Sequence, residues 1–238
     1  MDEGPCYKRI LLKLSGEALK GDNDSGISET TITGIAREIR QVHDLGVQVA
    51  VVTGGGNFFR GVRSNTLGIT RAAADYMGMV ATILNGIALQ DVLENQGLQA
   101  RLVSALEIKA VAEPFSRRNA VRHLEEGRVV IFSAGTGNPF FTTDTAAALR
   151  AIEIEADVLL KATLVEGVYS DDPHKVKDTV KFDHISYAEV IAKELKILDI
   201  TAVTLCKENH LPIKIFNITK KGNILKAITD KHIGTTID

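Results

Sequence analysis

Two cysteines in 238 residues, Cys6 and Cys206, are too few for a disulfide framework, and unpaired thiols in a reducing compartment are expected. An excess of one charge is missing too. The 28 basic residues face 30 acidic ones, which removes the electrostatic signature of a general nucleic-acid or membrane binder. Any anionic ligand must then be held by local groups. The stretch Met1-Asp2-Glu3-Gly4-Pro5 lacks a basic segment followed by an apolar core, and no apolar run approaches the roughly 20 residues that span a bilayer. A soluble, cytoplasmic protein with neither nucleic acid nor membrane as partner is expected.

Several motifs are absent as well. No Gly-Lys dipeptide occurs, so there is no Walker A loop. Gly135-Thr136-Gly137 begins a dinucleotide fingerprint but meets Phe140 where its third glycine belongs, and Gly54 and Gly56 likewise meet Phe59. The six histidines and two cysteines show no metal-ligand spacing, and no nucleophile elbow supports a Ser-His-Asp site. There is no internal repeat, low-complexity tract or linker, so one domain over residues 1–238 is expected.

What is present alternates in period. Short apolar runs at Lys8–Leu14, Val47–Val52, Gln99–Ser104, Val129–Phe132, Asp157–Lys161 and Ile213–Phe216 read as strands. Helical patterns separate them: Ser28 caps one with Ile32, Ile35, Ile39 and Val42 inward, and Ser186 with Glu189 has capping-box spacing. A long helix over Ile69–Gln96 is expected to turn Val80, Ile83, Leu84, Ile87 and Leu93 inward, and another to run from Thr145 to Glu155. This order predicts a three-layer αβα sandwich around a mostly parallel sheet.

The chemistry gathers where strands end. The stretch from Ser133 to Asp144, SAGTGNPFFTTD, reads as strand, glycine turn, polar loop and helix start, a setting in which free N–H groups meet anions. Gly54-Gly55-Gly56 follows another strand; it is either a place of close backbone approach to a ligand or a permissive turn. Lys13 and Lys161 end two further strands. Loops and lysines therefore converge on one sheet edge, an arrangement suited to phosphoryl transfer between two phosphate-bearing ligands. Asp75, in a small-residue helical stretch, is either solvated or an acceptor for a ligand hydroxyl.

Lys13-Leu14-Ser15-Gly16-Glu17, Gly54-Gly55-Gly56-Asn57 with Arg60, Asp75 with Met77-Gly78-Met79, the 133–144 stretch, and Glu153–Asp157 through Gly167-Val168-Tyr169 together resemble the bacterial uridylate kinases of the amino-acid-kinase fold family. The resemblance runs through nearly the whole chain in order. It implies transfer of the γ-phosphoryl group of ATP to UMP, with Mg2+ accompanying ATP, by a homohexamer of pyrimidine nucleotide synthesis. It divides the chain into an acceptor-nucleotide part, about 1–155, and an ATP-binding part, about 156–238.

By position, the resemblance puts Lys13, Leu14, Ser15, Gly16, Gly56, Arg60, Thr163, Tyr169 and Asp172 with ATP. Gly55, Asp75, Thr136, Gly137, Asn138, Pro139, Phe140, Phe141, Thr142 and Thr143 fall with UMP: Asp75 at the ribose, Thr136 and Asn138 at uracil, Thr143 at the phosphate. Phe140 and Phe141 are equally read as core or interface residues. Lys13, Arg60, Asp144 and Lys161 would form the catalytic set, with Asp144 orienting the lysines and no resident metal. Leu164 and Glu166 depart from the family pattern of Lys and Asp, which moves the second cationic role to Lys161. Acidic Asp22 and Asp24 occupy a loop linked in some such enzymes to nucleotide activation, so control by GTP or UTP stays open. Two alternatives are a carboxylate or carbamate kinase on the same fold and a non-catalytic nucleotide sensor.

Overall fold

The computed structural model describes residues 4–59, 68–171, 176, 178–195 and 197–238. The first half of the chain builds β1 (Arg9–Leu14), α1 (Gly16–Lys20), α2 (Glu29–Asp44), β2 (Gln48–Thr53), α3 (Arg71–Asn95), β3 (Ala100–Ser104), β4 (Glu113–Pro114), α4 (Arg117–Glu125), β5 (Val129–Ser133) and α5 (Thr143–Glu153). The second half adds β6 (Val158–Thr163), β7 (Val168–Tyr169), β8 (Lys181–Phe182), β9 (His184–Ile185), α6 (Tyr187–Ala192), α7 (Ile200–Glu208), β10 (Ile213–Asn217), α8 (Asn223–Thr229) and β11 (Thr235–Ile237). Helix starts follow local chemistry. Ser28 Oγ accepts from Thr31 N, and Ser186 and Glu189 complete the expected capping box.

Among the described residues the main sheet has nine strands in the order β4-β3-β5-β2-β1-β6-β10-β11-β9, and a separate ribbon pairs β7 with β8. All its pairings are parallel except that of β10 with β11. The alternation in β1 divides its side chains between two cores. Ile10, Leu12 and Leu14 pack with α2, α3 and α8, and Leu11 packs with the layer of α4, α5 and α7. Each fully buried aliphatic side chain contributes roughly 1.5–3 kcal/mol, so strands covered on both faces are strongly specified. Cys6 and Cys206 are unpaired, and burial pushes the Cys206 thiol up to about 12.

Helix α3 departs from expectation in two ways. Ile83 and Leu93 face the core, but Val80, Leu84 and Ile87 are exposed, together with Tyr76 and Met77. The helix is apolar nearly all round, so periodicity did not select its inner face; packing on β3 and β5 does. By length and composition it could also cross a bilayer, with a mean hydropathy of 1.3, although no uninterrupted apolar run announced this. Here its inner residues belong to the protein core.

The chain order creates a switch point. From β1 the sheet grows one way through β2, β5, β3 and β4, and the other way through β6 and β10. Ligands of open α/β sheets bind outside the carboxyl ends of strands at such a point.

Candidate active site

Lys13 and Lys161 are register partners on β1 and β6, the strands flanking the switch point. Period two puts them on the face with Leu11 and Leu159, toward α5. There Asp144, in the first turn of α5, stands between them: Oδ1 lies 2.8 Å from Lys13 Nζ and Oδ2 2.7 Å from Lys161 Nζ. All three side chains are at most 15% exposed. The Lys161 ammonium also donates to the Ile197 carbonyl. Oδ1 accepts no well-aligned hydrogen bond despite its short distance to Lys13, so that contact is chiefly Coulombic.

Burial alone would raise the Asp144 carboxyl, but the charges of Lys13 and Lys161 together outweigh it and hold the group below the usual carboxylate range. Lys161 is pushed below the usual lysine range, first by burial and further by Lys13, with Asp144 opposing. Counted by formal charge, two lysines against one aspartate leave one positive charge in excess at the sheet edge.

The glycine loops pack against each other beside this cluster. A Cβ on Gly16 would lie 2.6 Å from Gly56 N, and one on Gly55 would lie 2.6 Å from Gly78 O of α3. These glycines are needed first for contact within the protein, while Gly55 and Gly56 still present their backbone to a cleft. Asn57 and Asn85, both buried, exchange amide hydrogen bonds of 2.9 and 2.8 Å, and Asn85 Nδ2 donates to Gly54 O at 2.7 Å. The loop backbone is thereby tied to α3.

The cleft has a volume of about 260 Å³ and is bounded by Gly55, Gly56, Asp75, Thr136 and Phe141, with Thr143 at the start of α5. Thr142 also reaches it, but the hydroxyl is committed: Oγ1 accepts from Asp144 N and Thr145 N, capping α5, and donates to Asp199. Asp199 in turn accepts from Thr145 Oγ1 at 2.8 Å and from Ala202 N at 3.0 Å, joining the starts of α5 and α7.

The loop between β5 and α5 is held from α3. Ala134 and Phe140 have φ of 61° and 74°, a left-handed conformation that costs a non-glycine residue about 1–3 kcal/mol. The N–H of each is pinned by an α3 side chain: Ala134 N donates to Thr82 Oγ1 at 2.7 Å, and Phe140 N to Asp75 Oδ2 at 2.8 Å. Asp75 is thus neither simply solvated nor simply waiting for a ligand, because Arg71 Nε also donates to both of its oxygens at 2.9 Å.

Other expected residues stand apart from the cleft. Leu14 is core, and Ser15 Oγ caps α1 by accepting from Ala18 N. Asn138 is exposed and bonds Thr136 O through Nδ2, while Gly137, Pro139 and Phe140 do not line the cavity. Phe140 and Phe141 are 68% and 50% exposed, which removes the core alternative. Thr163 ends β6 and donates to Val165 O and Phe216 O; Tyr169 lies in the β7–β8 ribbon on the far half of the sheet. Glu166 is held by Asn217 and Lys220 at 2.9 and 2.8 Å. Arg60 and Asp172 lie outside the described residues. Sequence reading missed Arg71, Asn85, Thr82 and Asp199; only Arg71 carried a signal, its helical i,i+4 spacing from Asp75.

Among the described residues no group of three His, Cys, Asp or Glu side chains could hold a metal, and the Asp144 carboxylate is turned onto two lysines.

Fold and site together define a doubly covered α/β protein with a cationic cluster at the switch point and a cleft that reaches Thr143, the neighbour of Asp144. Residues 8–217 match the amino acid kinase family, and the chain belongs to that family. A uridylate kinase of Limosilactobacillus reuteri (strain DSM 20016) is 52% identical over 233 residues, 98% of this chain and 97% of the relative. The solved UMP kinase from Bacillus anthracis superposes with a TM-score of 0.95 at 37% identity, covering 98% of this chain and 96% of that one. The UMP kinase from Ureaplasma parvum gives 0.93 at 36% identity, with coverage of 97% and 98%.

Proposed function

We propose that this chain is a UMP kinase, transferring the γ-phosphoryl group of ATP to UMP to give UDP and ADP. The observation that carries the reading is the Lys13–Asp144–Lys161 cluster at the switch point, whose Asp144 lies in the first turn of α5 next to the cleft-lining Thr143. Residues 1–155 supply the strands on the acceptor side of the switch and residues 156–238 those on the donor side, so the two nucleotides meet over β1 and β6.

UMP occupies the cleft, with its phosphate toward Thr143 and the backbone of Gly55 and Gly56, its ribose toward Asp75 and its base toward Thr136. Asn138 reaches the base from the loop surface. ATP lies along Ser15 and Gly16 and across the ends of β6 and β10 near Thr163 and Tyr169; the family resemblance adds Arg60 and Asp172, which lie outside the described residues. Phosphoryl transfer needs positioned charge more than covalent chemistry. Lys13 and Lys161 neutralise the transferring group, and Asp144 fixes both ammonium groups before substrate arrives, so little reorganisation is needed during reaction. The acceptor phosphate, with a second ionisation near pH ~6, is itself the nucleophile and requires no general base. Mg2+ accompanying ATP would supply further screening of the phosphate charge beside Lys13 and Lys161.

The exposed apolar stripe of α3, Tyr76, Val80, Leu84 and Ile87, supports assembly into an oligomer, which the family resemblance sets as a homohexamer. The enzyme would work in the cytoplasm, in pyrimidine nucleotide synthesis, and the same resemblance leaves allosteric control open. The test is ATP consumption with UMP, CMP, AMP, carbamate and acetylglutamate offered in turn. Turnover is expected with UMP. Preference for carbamate or acetylglutamate would favour a same-fold carboxylate or carbamate kinase, and UMP binding without turnover would favour a sensor.

A further inference from the structure

Arg71 lies at the mouth of the cleft and begins α3, 62% exposed, while the Asp75 side chain one turn later is only 17% exposed. Its Nε donates to both Asp75 oxygens at 2.9 Å, and its guanidinium stands 5.8 Å from the centre of the Phe140 ring. Asp75 Oδ2 meanwhile accepts from Phe140 N at 2.8 Å. One residue thus engages both ends of the only described hydrogen bond linking Asp75 to the 133–142 loop. An exposed i,i+4 ion pair alone contributes only about 0.3–0.5 kcal/mol, too little to explain the arrangement as stability.

The lone pairs specify what the arrangement does. A carboxylate offers about four acceptor sites. The single Nε–H of Arg71 is shared between Oδ1 and Oδ2, and Phe140 N takes a further site on Oδ2. Among the described residues, the oxygen with acceptor capacity left over is therefore Oδ1. Without Arg71 the carboxylate is free to rotate, the strained Phe140 turn loses part of its anchor, and the remaining lone pair has no fixed direction.

We propose that Arg71 is a positioning residue for acceptor recognition: it orients Asp75 so that one Oδ1 lone pair is presented to a nucleotide hydroxyl, and it latches the acceptor loop through Phe140. This rests on the UMP kinase reading and deepens it.

The test compares wild type, Arg71→Met, Arg71→Lys, Asp75→Ala and the double variant Arg71→Met/Asp75→Ala, reading UMP affinity by calorimetry alongside steady-state kinetics. Arg71→Met is expected to raise the Kd and KM for UMP about tenfold, ~1.4 kcal/mol, with kcat within about twofold and the KM for ATP unchanged. Arg71→Lys should recover part of the loss, because an ammonium can pair with Asp75 but cannot reproduce the planar contact with Phe140. In the Asp75→Ala background, removing Arg71 should add less than it costs in the wild-type background, since most of its effect passes through Asp75 and only the Phe140 contact remains.

Unchanged UMP affinity in Arg71→Met would overturn the proposal. So would additive losses in the double variant, or an equal rise in both KM values together with lost thermal stability. Wild type that binds UMP without turning it over would end the kinase reading and leave the positioning role to be judged by Kd alone. Wild type that does not bind UMP would sink both.

Discussion

Lys13 and Lys161 are neighbouring cations, each at most 12% exposed, and a buried pair of like charges would not persist without Asp144 between them. Replacing Asp144 by Ala leaves both unpaired, and an expected loss of about 3–5 kcal/mol should appear in urea unfolding. The same carboxylate sets an acid limit. Its pKa is lowered in the folded state from the ordinary 3.8, so its stabilisation is fully present above that value and is lost as pH falls through the folded one. Wild-type stability should therefore decline in the acid range below about pH 4, and Asp144→Asn should lack that component; parallel pH curves for the two proteins would contradict the ion cluster. Lys13→Ala spares the Lys161–Asp144 contact. It should lower kcat by about 10²-fold or more while changing the KM for UMP little, because its charge matters most in the transition state. A rise in KM with unchanged kcat would remove the role.

At the scale of elements, α5 and α3 deliver the site. The N-terminus of α5 depends on Thr142 Oγ1, which caps two N–H groups and donates to Asp199. Thr142→Ala should cost about 1–2 kcal/mol in urea unfolding, with Thr142→Ser restoring most of it; an unaffected midpoint in Thr142→Ala would show that the cap is dispensable. Strand positions were readable because both faces are covered, and Lys13 stood out as a charge at the end of an apolar run. The start of α5 was less legible. The sequence places only a helix start near Thr143 and Asp144, and the helix begins two residues before the Thr145 expected from its alanines. The inner face of α3 was legible only in part: Ile83 and Leu93 are buried as expected, but the equally apolar Val80, Leu84 and Ile87 are exposed. Asn85, Thr82 and Asp199 escaped for another reason. A buried amide or a capping carboxylate gives no local pattern, and its meaning appears only when a distant backbone reaches it.

At the scale of the whole molecule, the exposed stripe on α3 leaves an apolar surface that a monomer rarely carries without use. Under the proposed homohexamer, Leu84→Asp should lower the mass in sedimentation while leaving the helical content of the chain intact; an unchanged mass would contradict the proposal that this stripe is the oligomer contact. The broader organisation rests on a sheet that grows in two directions from β1 and β6, with the lysines at the seam and the proposed acceptor and donor sites on either side. The measurement that bears most directly on this is the fate of the terminal phosphate. With ATP labelled at the γ position and UMP as the only acceptor, label should move from ATP into UDP, and Lys13→Ala should slow the transfer without abolishing UMP binding. Label that stays in ATP or is released as inorganic phosphate, with UMP unchanged, would contradict it.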